Sequence, residues 1–307
     1  MEKKLCNLAP EPEIYGKERA DELSSAVEGL SEMHATERAF VTGLLLHYKP
    51  QKVLEIGVSA GGGTVVILNA IRDIEGAHLH SIDLFERYYR DKSKFSGWMV
   101  DEFTPELKSI WTAHLGKDAV EVIDEIGAGI EFLVLDTAHI HPVETLNFLC
   151  VLPYLNDGAI VVLHDISLHL QRLGYATASY AGRLLFQTVT AEKLLPVEKY
   201  APCANIGAFQ VNSDTRKYAF DLFSSLYLPW GRLYSKPWRE LVPQRLIEPH
   251  ACMFEKTFGA EYRDMFLGAV QAQDALYDEI SLIAYIKILI GSFMRSVVKR
   301  LKRKRKA

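Results

Sequence analysis

Val53-Leu54-Glu55-Ile56-Gly57-Val58-Ser59-Ala60-Gly61-Gly62-Gly63-Thr64 decides the fold: an apolar strand enters a helix through a turn with glycine at positions 57, 61, 62 and 63. Glycine permits positive φ and lets another molecule come close to the main chain. The first amides of the helix that follows lack intrahelical partners and point out of its end. A second short strand, Leu79-His80-Ser81-Ile82-Asp83, also ends in a carboxylate. Glu55 and Asp83 on one sheet edge suit hydroxyls and a cationic amine, and they repel phosphate. A pyrophosphate fingerprint, Gly-x-Gly-x-x-Gly, would put glycine where Ser59 stands.

Outward from this turn, strand and helix patterns alternate. Strands are expected at 53–58, 79–84, 111–115, 132–135 and 159–163, with helices at 64–74, 105–110, 118–126 and 142–155 between them. The stretch from 85 to 103 reads as loop, mixing aromatics with charges. Continuous apolar strands separated by helices imply a doubly wound parallel sheet buried on both faces. Upstream, 17–48 carries the spacing of two helices. Downstream, 180–193 reads as a helix and Asn205-Ile206-Gly207-Ala208-Phe209-Gln210-Val211 as a final strand; residues 213–307 are mainly helical, broken near Pro229, Pro237, Pro243 and Pro249. The organisation is therefore an N-terminal helical segment (1–34), an α/β domain (35–212) and a helical extension (213–307).

A chain of 307 residues, 49% hydrophobic and 24% charged, is long enough for one sizeable core plus an appendage. Cys6, Cys150, Cys203 and Cys252 are far apart and form no Cys-x-x-Cys pair, which argues against a zinc or disulfide framework and for a reducing, cytoplasmic setting. The first residues run into Pro10-Glu11-Pro12 without an apolar core, so no secretory signal is expected. Eight of the 35 basic residues fall in the last thirteen positions, leaving 27 against 39 acidic residues, or −12, for the rest. An acidic globule with a basic tail is not a nucleic-acid binder.

Glu55-Ile56-Gly57-Val58-Ser59-Ala60-Gly61 resembles the first motif of class I S-adenosylmethionine-dependent methyltransferases: an acidic residue, x, Gly, x, a small residue, x, Gly. The second anchor is 132–166, where Phe-Leu-Val-Leu-Asp-Thr-Ala-His-Ile-His-Pro is followed by a helix and then Ile160-Val161-Val162-Leu163-His164-Asp165. This is similar to the subgroup with Asp-x-x-His after the fourth strand and His-Asp after the fifth, found among sugar and natural-product O-methyltransferases. The resemblance covers about 35–212. It implies a Rossmann-like seven-stranded sheet with an antiparallel last strand, S-adenosylmethionine as cofactor, and a small-molecule acceptor, a sugar or a glycosylated or lipid-linked hydroxyl compound.

By that resemblance Glu55 faces the methionyl part of the cofactor, and Gly57, Ser59, Gly61, Gly62 and Thr64 provide close backbone approach. Asp83 accepts the ribose hydroxyls, and Asp118 borders the adenine or else caps the next helix. Methyl transfer from a sulfonium needs alignment and removal of one proton, by a histidine near neutrality or by a cation that acidifies the hydroxyl. His139, three residues past Asp136, is the first candidate base, with His141 and His164 behind it. Asp136 and Asp165 form a carboxylate pair for Mg²⁺ or another divalent cation, with His164 as a third ligand if the metal is soft. Loss of the metal fits the residues equally.

Two other classes stay open on the residues alone: an NAD(P)-dependent oxidoreductase on a similar sheet, and a non-catalytic binding scaffold. The segment 274–306 has Leu276, Ile280, Ile283, Ile286, Ile290 and Met294 at helical spacing and a basic end. It is either a helix packed on the domain or a peripheral contact to an anionic membrane.

Overall fold

Alternate residues of a strand face opposite sides of a sheet, and here both sides are covered. The structure is a computed structural model that describes residues 11–171, 179–197, 204–231, 238–279 and 290–291. Strands β1 (Lys52–Ile56), β2 (His78–Asp83), β3 (Trp111–Leu115), β4 (Ile130–Leu135), β5 (Leu155–Leu163), β6 (Glu192–Leu194) and β7 (Gly207–Gln210) form one sheet in the order β3-β2-β1-β4-β5-β7-β6. Neighbours from β3 to β5 are parallel, and β7 runs antiparallel to β5 and β6. The order reverses between β1 and β4, and a crevice at the carboxyl ends of the strands follows from that reversal.

Val53, Phe132, Val134, Ile160 and Val162 pack into one apolar layer with helices α1 (Ala35–Tyr48) and α2 (Gly62–Ile71). Their neighbours Leu54, Leu133, Leu135, Val161 and Leu163 pack into the other, with α3 (Ala119–Ile126) and α4 (Val143–Val151). The extension joins this second layer. Trp230, Trp238, Phe254 of α5 (Gln244–Phe258) and Phe266 of α6 (Ala260–Glu279) belong to the same buried cluster as Phe148 and Leu149. Full burial of one such aromatic side chain stabilises by about 1.5–3 kcal/mol, so the extension is bound to the sheet by its core.

The seven strands and the antiparallel β7 agree with the expectation; several boundaries do not. The first of the two helices expected over 17–48 is two short pieces, Lys17–Asp21 and Ser24–Val27, interrupted at the turn residues 22–23, and a further short helix, Pro12–Tyr15, precedes them across Gly16. The helix expected over 180–193 stops at Thr188, where Val189 turns extended, and residues 192–194 become β6. A three-residue edge strand carries no readable periodicity. The loop expected up to 103 ends in a short helix, Trp98–Phe103, and Pro105–Ile110 is a 3₁₀ turn. β5 begins four residues earlier than expected, at Leu155, and its register to β4 shifts between Ile130 and Phe132. The expected membrane-surface segment lies, beyond residue 279, almost wholly outside the described residues. Among the described residues no helix is long and apolar enough to cross a membrane.

The N-terminal segment is seated by close backbone contact. A Cβ on Gly43 would lie 1.8 Å from the carbonyl oxygen of Pro12. Gly43→Ala therefore gives a test with opposite signs. In an isolated helix the change stabilises by about 1 kcal/mol; with the segment docked it must expel Pro12, and we expect a loss of about 1–3 kcal/mol. Thermal denaturation measures the sign, and faster proteolysis within 12–34 should accompany the loss.

Candidate active site

The glycine turn rests on the end of β4. Gly57 has φ 97°, and a Cβ there would lie 1.9 Å from the Asp136 carbonyl oxygen, so the position admits no side chain. Asp83 fastens the turn from the other side. Its Oδ2 accepts from the amides of Val58 and Ser59, both at 2.9 Å, and its Oδ1 from Phe85 at 2.8 Å. The carboxylate expected to meet ribose thus spends three acceptances on the main chain.

Glu55, on the β1 face that looks toward α2, is 2% exposed. Its Oε2 accepts from Thr64 Oγ1 at 2.8 Å and Ser81 Oγ at 2.7 Å, and Ser81 in turn accepts from Trp111 Nε1 at 2.9 Å. Burial pushes the Glu55 carboxyl up to about 8 against these two hydrogen bonds, and the charges of Asp136 and Asp83 push the same way. Near pH 7 Glu55 is mostly a neutral acid, a dipole rather than a counter-ion. Thr64 is committed to Glu55 by its hydroxyl.

A cleft of about 300 Å³, open to solvent, lies over this turn. Residues 30–33 form one wall, and Glu55, Gly57–Ala60, Gly62, Gly63 and Asp136 form the other. Ser59 lines it with a buried Oγ that has no partner within the protein, at a residue with φ 53°. An orphaned hydroxyl beside uncapped helix amides and one ionised carboxylate fits a ligand with hydroxyl, carboxylate and ammonium groups. The loop after β2 closes onto the turn: Gly97 N donates to Ser59 O and Met99 N to Ala60 O, each at 3.0 Å. Arg90 of this loop reaches Glu32 at 2.9 Å on the facing wall.

At the ends of β4 and β5 the structure brings Asp136, His139 and Asp165 together. His139 Nε2 stands 3.1 Å from Asp165 Oδ2 and 3.5 Å from Asp136 Oδ1, and its backbone amide donates to Glu144 Oε1 at 2.6 Å. Both His139 and Asp165 take left-handed backbone, φ 57° and 55°. Such conformations cost about 1–3 kcal/mol each and persist where surroundings over-determine them.

His164, expected beside Asp136 and Asp165 as a third ligand, lies beside both, its Nδ1 3.0 Å from Asp136 Oδ1 and 3.8 Å from Asp165 Oδ2. The His164 ring is buried, and both of its nitrogens face carboxylates. Its Nδ1 meets Asp136 Oδ1 at 3.0 Å and its Nε2 meets Glu37 Oε2 at 3.2 Å. Burial alone would strip its proton, but the charges of Asp136, Asp165 and Glu37 outweigh burial and hold its pKa well above the usual range. A doubly donating imidazolium offers a metal no lone pair, and His139 takes its place in the set of donors that lie within 4.8 Å of one another. His141 is buried against the Tyr180 ring at 6.4 Å, and burial lowers its pKa to about 4. Asp118 caps α3, accepting from Val120 N at 3.1 Å, which is the alternative its sequence left open.

Sequence reasoning missed Glu37, Asn205 and Glu144. Asn205 Nδ2 donates to Asp165 Oδ1 at 2.6 Å and to Glu37 Oε1 at 3.2 Å. Burial raises the pKa of Glu144. Only Glu144, near Asp136-x-x-His139, carries a local signal. Glu37 and Asn205 come from distant segments.

Glu55 yields a pH test. With its folded pKa near 8 and an ordinary unfolded value of 4.5, the folded chain holds one more proton between those limits. Its stabilising contribution is complete below about pH 4.5 and is lost as pH rises to about 8, by up to ~1.4 kcal/mol per pH unit. Glu55→Gln keeps a neutral acceptor and removes this slope. The variant's Tm relative to wild type should rise steadily from pH 5 to 8; a constant difference would mean that Glu55 is ionised when folded.

A family profile described as a methyltransferase domain matches residues 54–166. Curated protein sequences give no match. Among solved structures, the chain is similar to an O-methyltransferase of Streptomyces achromogenes involved in tomaymycin synthesis, in complex with S-adenosylmethionine (16% identity, 67% of this chain and 91% of that one, TM-score 0.45). It is also similar to a Klebsiella pneumoniae protein described as a putative O-methyltransferase (14%, 68% and 94%, 0.46) and to a Bacillus cereus O-methyltransferase with S-adenosylhomocysteine (14%, 67% and 94%, 0.45). The matched segment holds the glycine turn, Asp83, Asp136, His139 and the His164-Asp165 pair, and it is similar to a methyltransferase domain.

Proposed function

We propose that the protein transfers the methyl group of S-adenosylmethionine to a hydroxyl of a small polyhydroxylated acceptor, a sugar or a glycosylated compound. The observation that carries this reading is the placement of His139 against Asp136 and Asp165, with Asp136 shared between that edge and the cleft. Asp136 is held ionised: burial opposes, but His164 and His139 together keep its pKa below the usual carboxylate range. It is the natural partner of the cofactor's ammonium, and Ser59 and the first amides of α2 suit its carboxylate. The methyl group moves from sulfur to the acceptor oxygen as the C–S bond breaks, and the hydroxyl proton passes to the imidazole of His139. His139 Nδ1 is buried 3.6 Å from Glu144 Oε1 without a hydrogen bond in the protein, which leaves this nitrogen to take the proton.

Asp136, His139 and Asp165 also fit a divalent cation. Bound there, it would lower the pKa of the acceptor hydroxyl. Two oxygens and one imidazole favour Mn²⁺ or a softer ion over Mg²⁺. The nicotinamide-dependent alternative has no support from the family match, and the glycine fingerprint for pyrophosphate is incomplete.

Calorimetry should show binding of S-adenosylmethionine and none of NAD. A panel of sugar and phenolic acceptors, scored for S-adenosylhomocysteine release, should include a substrate on which His139→Ala loses about 10²–10⁴-fold in rate while cofactor affinity stays within threefold. Chelation that leaves the rate unchanged removes the cation, and NAD binding in place of S-adenosylmethionine overturns the reading.

A further inference from the structure

Six side chains close a ring around the catalytic edge. Asp136 meets His164 at 3.0 Å, His164 meets Glu37 at 3.2 Å, and Glu37 meets Asn205 at 3.2 Å. Asn205 meets Asp165 at 2.6 Å, Asp165 meets His139 at 3.1 Å, and His139 returns to Asp136 at 3.5 Å. Glu37 and Asn205 both lie outside the matched segment 54–166.

The direction of each contact is fixed by donors. Ser167 N, which can only donate, points to Asn205 Oδ1 at 3.2 Å, with Ser167 Oγ beside it at 2.9 Å. The amide of Asn205 must then turn its Nδ2 toward the carboxylates of Asp165 and Glu37. With Oδ1 of Asp165 so occupied, Oδ2 is the oxygen left for His139. Asn205 also holds the strained backbone at this point, because its carbonyl accepts from Ile166 N at 2.9 Å. Glu37 does two things. Its Oε2 accepts from the amide of His34, at 2.7 Å, at the start of α1, immediately after the cleft wall 30–33, and the same oxygen faces His164. All six residues are at most 18% exposed at the side chain or buried outright, so water does not substitute freely for a missing partner.

We propose that Glu37 and Asn205 are positioning residues of the methyl-transfer site, which set Asp165 and His164 and through them fix the ring plane and tautomer of His139. The assignment rests on the reading of His139 as the base. Neither residue touches the reacting atoms; each acts through a carboxylate or an imidazole. A catalytic imidazole backed by an oriented carboxylate holds one tautomer, and an unsupported carboxylate lets the ring exchange tautomers.

Imidazole ¹⁵N–¹H correlation spectra of the full chain labelled with [¹⁵N]histidine read this directly, with His139 assigned through His139→Gln. Wild type should show His139 as one tautomer, protonated at Nε2, and His164 with two protected ring N–H signals. In Asn205→Ala and Glu37→Gln the His139 signals should collapse to a tautomer average, while S-adenosylhomocysteine affinity stays within threefold of wild type. If Glu37→Gln fails to fold because the α1 cap is weakened, Asn205→Ala decides. Unchanged His139 signals in a folded variant, an averaged His139 in wild type, or joint loss of fold and S-adenosylhomocysteine binding in both variants overturns the proposal. Failure of the wild type to bind S-adenosylhomocysteine would instead count against the methyltransferase reading, and the spectra would still judge the positioning.

Discussion

A protonated imidazole buried between two carboxylates organises the carboxyl end of the sheet. His164 stands at the end of β5, Asp136 at the end of β4, and Glu37 comes across from α1. Burying such charges costs several kcal/mol per ion, and removing one partner of a buried pair costs about 3–5 kcal/mol because the other charge is left uncompensated. The arrangement is thus a strong constraint on geometry even where its net stabilisation is small. Three elements that share no local sequence must meet within hydrogen-bond distance, or the end of the sheet carries an unpaired ion.

That constraint explains how strained backbone survives nearby. Ser59, His139 and Asp165 all occupy the left-handed region without being glycine, and all three stand at the cleft or at the ends of β4 and β5. Asp83 holds Ser59 through its amide, Glu144 holds His139 through its amide, and Asn205 holds Asp165 through its carboxylate. In each case a side chain from another element accepts or donates the bond that fixes an unfavourable φ. The stored cost is a few kcal/mol in total, and its effect is to aim an otherwise mobile loop residue.

The fold was legible where the signal is local. Glycine at 57, alternation in 132–135 and 159–163, and carboxylates at strand ends depend on a few neighbouring residues each, and the sheet follows from them. The site was legible as far as Asp136 and His139, which share one strand-end loop. It was not legible at Glu37, 127 residues from His164, or at Asn205, 40 residues from Asp165. Both look like ordinary polar residues of a helix and a strand approach. The expected place of His164 in the donor set is taken by His139, because both ring nitrogens of His164 already face carboxylates, one of them Glu37 from a distant helix. β6 was lost because three residues show no period, and its existence depends on β7 alone.

Charge in the cleft shows why the four carboxylates do not act alike. Glu55 is largely neutral through burial, Asp83 is saturated by three amides, and Asp165 is turned toward His139 and Asn205. Of the four strand-end carboxylates only Asp136 presents an ionised group to the cleft, and half of it is already committed to His164, while Glu32 on the facing wall is paired with Arg90. A dinucleotide with its pyrophosphate would meet this carboxylate with no basic side chain among the cleft-lining residues to offset it. A sulfonium amino acid carries two positive groups and one carboxylate, a net charge of about +1, and meets the Asp136 carboxylate and a set of free helix amides. The electrostatic match therefore comes from committing three of the four strand-end acidic residues to partners within the protein or to a neutral buried form.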